Sequence, residues 1–201
     1  MVVAGTEGPE FEIVGRPVLS RDGRVVAYCA TQDQSSWCIR VGDREEPPFD
    51  YVTDPAVSAD GSTAAYGACR GSQWFLRVGT EERKIPSKPV HVFLSADGRN
   101  VGWVEAVPLT AGGSTMRVIV GERPGATFSL VGIPTFSPTS DRVAYGAEEG
   151  GRKYVVVGAR KVESPDRVGD PSFSPDGRRV GYGAKVGREL WWKVIEVQGN
   201  D

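Results

Sequence analysis

The chain has 201 residues, 39% of them hydrophobic, which is enough for one domain (1-201) with an ordinary core. Its 24 basic and 26 acidic residues leave a formal charge of -2, so no uniform positive field exists to hold nucleic acid or an anionic membrane. Nowhere do eighteen apolar residues run together, and the opening MVVAGTEGPEFE is too short an apolar run for an export signal; the expectation is a cytoplasmic chain without a membrane span.

In chain order, Val2-Val3-Ala4-Gly5 has the look of a strand end, and Phe11-Glu12-Ile13-Val14 of an isolated strand. Five variants of one phrase come next: PVLSRDGRVVAY from Pro17, PAVSADGSTAAY from Pro55, VFLSADGRNVGW from Val92, PTFSPTSDRVAY from Pro134 and PSFSPDGRRVGY from Pro171. Their serines, Ser20, Ser58, Ser95, Ser137 and Ser174, recur about every 37 to 42 residues, the period of propeller blades. Each phrase reads as a short strand, a tight turn and a second strand. Asp-Gly at the tip tolerates the positive backbone angles such turns need, and the serine hydroxyl bonds to nearby backbone. Asp22, Asp60, Asp97 and Asp176 are therefore turn residues rather than a ring of catalytic acids.

The second strand centres on Tyr28, Tyr66, Trp103, Tyr145 or Tyr182, each preceded by alanine or glycine. Large and small side chains alternate, which suits sheets stacked face to face. A third strand comes after it (WCIRVG, WFLRVG, MRVIVG, KYVVVG, LWWKVI), then a weaker, more polar stretch (PPFDYV, RKIPSK, ATFSLV, SPDRVG) expected as the outer edge strand. The fifth repeat runs out before such a strand. The expectation is an all-β, five-bladed propeller of four-stranded antiparallel blades, its ring closed by residues 10-14 pairing with the last blade. Three cysteines, Cys29, Cys38 and Cys69, lack CxxC spacing and read as buried free thiols in a reducing compartment, although Cys29 and Cys38 lie on paired strands.

The phrase Phe-Ser-Pro-Asp-Gly with Val-Gly-Tyr after it, clearest at Phe173 to Tyr182, resembles the WD-like repeats of TolB-type propellers, and the resemblance covers nearly the whole chain. It departs at Leu19, Val57 and Leu94, where phenylalanine is usual, and at Thr139-Ser140, which replaces Asp-Gly. The resemblance implies the architecture and is nearly silent on activity.

The residue before each starting proline or its equivalent is expected at one mouth of a central channel: Arg16, Asp54, His91, Ile133 and Asp170. These do not repeat, so Arg16, Asp54, His91 and Asp170 are the candidate ligand-binding residues. The insertion Val107 to Ser114 is an extended loop on the same face. His91 with Asp54 and Asp170 lacks recognisable metal spacing, and no nucleophile elbow, phosphate loop or HExxH is present, so no metal, cofactor or catalytic residue is expected. The reading is a non-catalytic module that binds a protein or peptide. Its rivals are a glycan-binding or glycan-cleaving propeller using Asp54 and Asp170, and a purely structural fragment of a longer repeat array. Periodicity leaves monomer and strand-swapped homo-oligomer open.

Overall fold

The structure is a computed structural model that describes residues 2–3, 6–164 and 167–197. Among these the fold is all-β, built from antiparallel sheets. Each of the five repeats lies in its own sheet, which we number in chain order. The chain divides into two compact units, Met1–Trp103 and Val104–Asp201, and the division falls inside the second strand of the third sheet, Val101–Pro108.

The repeated phrase folds as its turn chemistry requires. In four tips the serine hydroxyl donates to the aspartate (Ser20 to Asp22, Ser58 to Asp60, Ser95 to Asp97, Ser174 to Asp176) at 2.6 to 2.7 Å. The same hydroxyl accepts from the backbone N–H five residues on, and the aspartate accepts from the N–H two residues on. In the fourth tip Ser137 meets Thr139 at 3.4 Å instead. Tips also bond to one another: Arg21 N donates to Ala59 O at 2.9 Å and Ala59 N to Ala96 O at 2.8 Å. Gly61 needs its hydrogen twice over, since its φ is +71° and a Cβ there would stand 2.5 Å from Val25 of the preceding tip.

Strand order corrects the sequence reading at one edge. The outer strands are Arg44–Glu45, Glu81–Ile85, Arg123–Phe128 and Arg160–Ser164. The segments expected as outer straddle the boundary: residues 83–85 and 126–128 do lie in outer strands, while other parts of these segments open the next sheet. Tyr51–Val52 pairs with Cys69 and Ala68, and Leu130–Val131 with Glu148 and Ala147. Ile13–Val14 likewise pairs with Thr31 and Ala30 of the first sheet, so residues 10-14 do not complete the last one. The inner strand is thus made in two pieces, for example Ile13–Val14 and Val18–Leu19, because the intervening proline has no N–H to give the ladder. Where Val92 replaces proline, the inner strand Pro89–Leu94 runs unbroken. Among the described residues the last sheet is three-stranded, ending at the edge strand Glu189–Glu196, and no sheet closes on itself. Val2–Val3 pairs with Thr6–Glu7, as a strand end turning back would; Ala4 and Gly5 of that expected motif lie outside the described residues.

Cores form between successive sheets. In the first unit Ala27, Cys29, Ile39 and Val41 of the first sheet pack on Val52, Ala64, Tyr66 and Ala68 of the second. In the second unit Ala144, Val155 and Val157 of the fourth sheet pack on Val180, Tyr182, Ala184 and Ile195 of the fifth. All five repeat aromatics are buried. Three of them meet a phenylalanine edge to face: Phe11 on Tyr28, Phe49 on Tyr66 and Phe128 on Tyr145, at 6.1 to 6.4 Å. The three cysteines are free and buried; Cys29 opposes Ile39, and Cys38 opposes Ala30, so the two thiols point to opposite faces of their hairpin.

Candidate functional site

The first unit holds Arg16, Asp54 and His91, and the second holds Asp170. Arg16 and His91 are exposed. Each of the two aspartates already has a protein donor. The Cys29 thiol donates to Asp54 Oδ1 at 3.5 Å, and burial, aided by that carboxylate, pushes Cys29 up to about 11. Ile133 N donates to Asp170 Oδ1 at 3.1 Å. In both cases the carboxylate leans over a glycine of the preceding sheet: a Cβ on Gly15 would lie 3.0 Å from Asp54 Oδ1, and one on Gly132 2.9 Å from Asp170 Oδ1. Asp54 and Asp170 therefore clasp one sheet to the sheet before it. The signal for this was in the sequence, as a glycine two residues ahead of the proline at Gly15-Arg16-Pro17 and Gly132-Ile133-Pro134. Among the described residues no group of three His, Cys, Asp or Glu is placed to hold a metal ion.

The first unit also carries a row of aromatics that sequence reasoning missed. Trp37 and Tyr51 lie 5.6 Å apart and Tyr51 and Trp74 6.0 Å apart, tilted by 49° and 69°. A flat platform for a sugar ring needs an open face, but Lys88 Nζ sits 4.2 Å over the Tyr51 ring. The row lies between the first and second sheets, half-buried at Trp37 and Trp74 and open to solvent at Tyr51.

The last sheet is different. Its third strand places Trp192 opposite Gly183, the register position that Ile39, Leu76 and Val155 fill in other sheets. Those three are 0%, 2% and 0% exposed, whereas Trp192 is 78% exposed, with Leu190 at 85% and Val194 at 60% on the same face. The reason is visible at the glycines. A Cβ on Gly67 would strike Pro89 of the next sheet, while one on Gly183 would meet nothing within 4 Å. Beside this strand lies a groove of about 500 Å³ lined by residues that include Arg167, Val168, Gly169, Lys185, Leu190 and Trp192. Strand pattern alone did not mark this site, because LWWKVI, though less regular than the other third strands, is still as rich in branched and aromatic residues.

No protein-family model matches the chain, and no curated protein matches it by sequence. Solved structures do share its architecture. TolB from Acinetobacter baumannii is 15% identical, with a TM-score of 0.51 over 92% of this chain and 52% of that one. The β-propeller domain of Cps50 (Swd1) from Myceliophteria thermophila is 10% identical, with a TM-score of 0.54 over 94% and 70%. The β-propeller domain of the Trilobed protease from Pyrococcus furiosus, described as having an open velcro topology, is 11% identical, with a TM-score of 0.60 over 92% and 69%. The fold is propeller-like. The chain spans about half the length of the TolB structure it matches.

Proposed function

We propose that the chain is a non-catalytic protein-binding module of the propeller class, and that its recognition surface is the exposed edge of the last sheet with the adjoining groove. The observation that carries this reading is the run Leu190, Trp192 and Val194, open to solvent on one face of an edge strand whose counterparts elsewhere are core. Contiguous exposed apolar side chains, rimmed here by Arg167 and Lys185, mark interaction sites, and a strand edge offers unpaired main-chain groups to an incoming strand. The propeller likeness to TolB, Swd1 and a protease domain supports a binding or scaffold role. Asp54 and Asp170, both exposed, each accept one protein hydrogen bond, a sheet-to-sheet role that calls for no glycan-cleaving chemistry. Arg16 and His91 are proposed as a separate, weaker polar contact surface of the first unit, and the three free thiols fit a reducing compartment.

The test is a comparison of variants immobilised as bait. Leu190→Ser with Trp192→Ser should remove the specifically captured proteins while leaving the unfolding midpoint of the dilute, monomeric chain unchanged, because both side chains are solvated there. Arg16→Ala and His91→Ala should weaken capture less. Capture that survives the serine double variant defeats the assignment of this surface.

A further inference from the structure

Building on that reading, we propose that the edge strand Glu189–Glu196 pairs with the same strand of a second copy, antiparallel about a two-fold axis at Trp191. Three observations point to this partner. The strand is a sheet edge carrying exposed Leu190, Trp191, Trp192 and Val194, the kind of long apolar edge that associates unless it is blocked. Its only lysine and its leading glutamate are four residues apart, Glu189 and Lys193, so a strand facing its own copy with Trp191 at the centre sets each Glu189 opposite the partner copy's lysine. The same register sets Leu190 against Trp192 twice and Trp191 against itself, an isologous contact that closes on two chains.

Main-chain geometry admits that register. Val197 N donates to Arg178 O across the ladder, and the pairing continues as Ile195 with Val180 and Lys193 with Tyr182. Alternation then turns the N–H and C=O of the odd residues toward their own sheet and those of Leu190, Trp192 and Val194 outward. An incoming antiparallel copy must match outward residues with outward residues. Centring on Trp191 does so, pairing Leu190 with Trp192, while centring on Lys193 would set lysine against lysine. Glu189 also accepts from the indole N–H of Trp191 at 3.1 Å, which holds the carboxylate beside the proposed axis.

Equilibrium sedimentation across a dilution series of the full chain tests the proposal. The wild type should be a monomer–dimer system. Lys193→Glu and Glu189→Lys should each weaken dimerisation at least tenfold, by placing like charges in register, and the double charge swap should restore it to within about threefold of wild type. Trp191→Cys should form a disulfide-linked dimer under mild oxidation, since a pair at a two-fold, non-hydrogen-bonded position brings the two Cβ atoms within reach. A wild type that stays monomeric at every concentration, growth beyond a dimer, or a charge swap that fails to restore association overturns the pairing. If the wild type is monomeric but the serine variants still lose captured proteins, the binding surface stands and only the second copy is wrong.

Discussion

Gly67 and Gly183 occupy the same register position in their sheets, opposite Leu76 and Trp192, yet they should respond oppositely to one methyl group. At Gly67 a Cβ would lie 2.4 Å from Pro89 Cγ and 2.9 Å from its Cδ, and a proline ring has little freedom to withdraw. Gly67→Ala should therefore destabilise by about 1–3 kcal/mol, as overpacking does. Gly183 has open space, and Gly183→Ala should be neutral or stabilise by up to about 1 kcal/mol by restricting the unfolded chain. Urea midpoints of the two variants decide it; a Gly183 variant as damaged as its twin would mean that another surface covers that face.

The tip aspartates predict a pH response. Hydrogen bonds from the serine hydroxyl and a backbone N–H hold Asp22, Asp60, Asp97 and Asp176 below the usual carboxylate range, Asp60 to about 2 with the help of Ser62. A carboxylate depressed in the folded state binds fewer protons there than in the unfolded chain, so its stabilisation is complete above the unfolded value near 3.8 and is lost as pH falls toward 2. Urea midpoints measured from pH 5 to pH 2 should decline, and Asp60→Asn should shallow that decline. An unchanged slope in the variant would exclude the Asp60 tip as a contributor.

At the scale of the element, identical strand positions have opposite energetic roles. Ile39→Ala empties a position sealed between the first and second sheets and should cost about 2–5 kcal/mol, whereas Trp192→Ala removes a larger side chain that is mostly in water and should cost under about 1 kcal/mol. Thermal and urea midpoints of the pair read this directly. The contrast also marks how far the sequence was legible. Turn tips, buried aromatics and the second and third strands were readable because local chemistry dictates them: Ser-x-Asp-Gly folds one way wherever it occurs. The inner strand was not, since its opening half, Tyr51–Val52 or Leu130–Val131, is two residues long and comes after the outer strand without a clear break. The same ambiguity places residues 10-14 in the wrong sheet. Asp54 and Asp170 looked specific because their position varies across the five repeats, but their role depends on Gly15 and Gly132 of the preceding sheet, a signal legible only when one repeat is set beside its neighbour. The exposure of Trp192 was likewise invisible, because it depends on the absence of packing against the outer face of its sheet among the described residues rather than on the strand's own pattern.

At the scale of the whole chain, each unit holds an inter-sheet core of its own among the described residues. The core around Ile39 and Tyr66 belongs to the first unit, and that around Val155 and Tyr182 to the second, with no residue in common. Arrays in which each sheet is stabilised by its neighbours behave approximately as a sum of local terms. Ile39→Ala should cost about 2–5 kcal/mol and Val155→Ala somewhat less, and their combination should equal the sum within about 0.5 kcal/mol. Equilibrium unfolding in urea, monitored by tryptophan fluorescence and by circular dichroism, gives the three values, provided the two probes coincide. Two resolved transitions in the double variant would be the limiting form of the same independence, each core failing by itself. A coupling above about 1 kcal/mol of either sign would show that the cores act as one cooperative body.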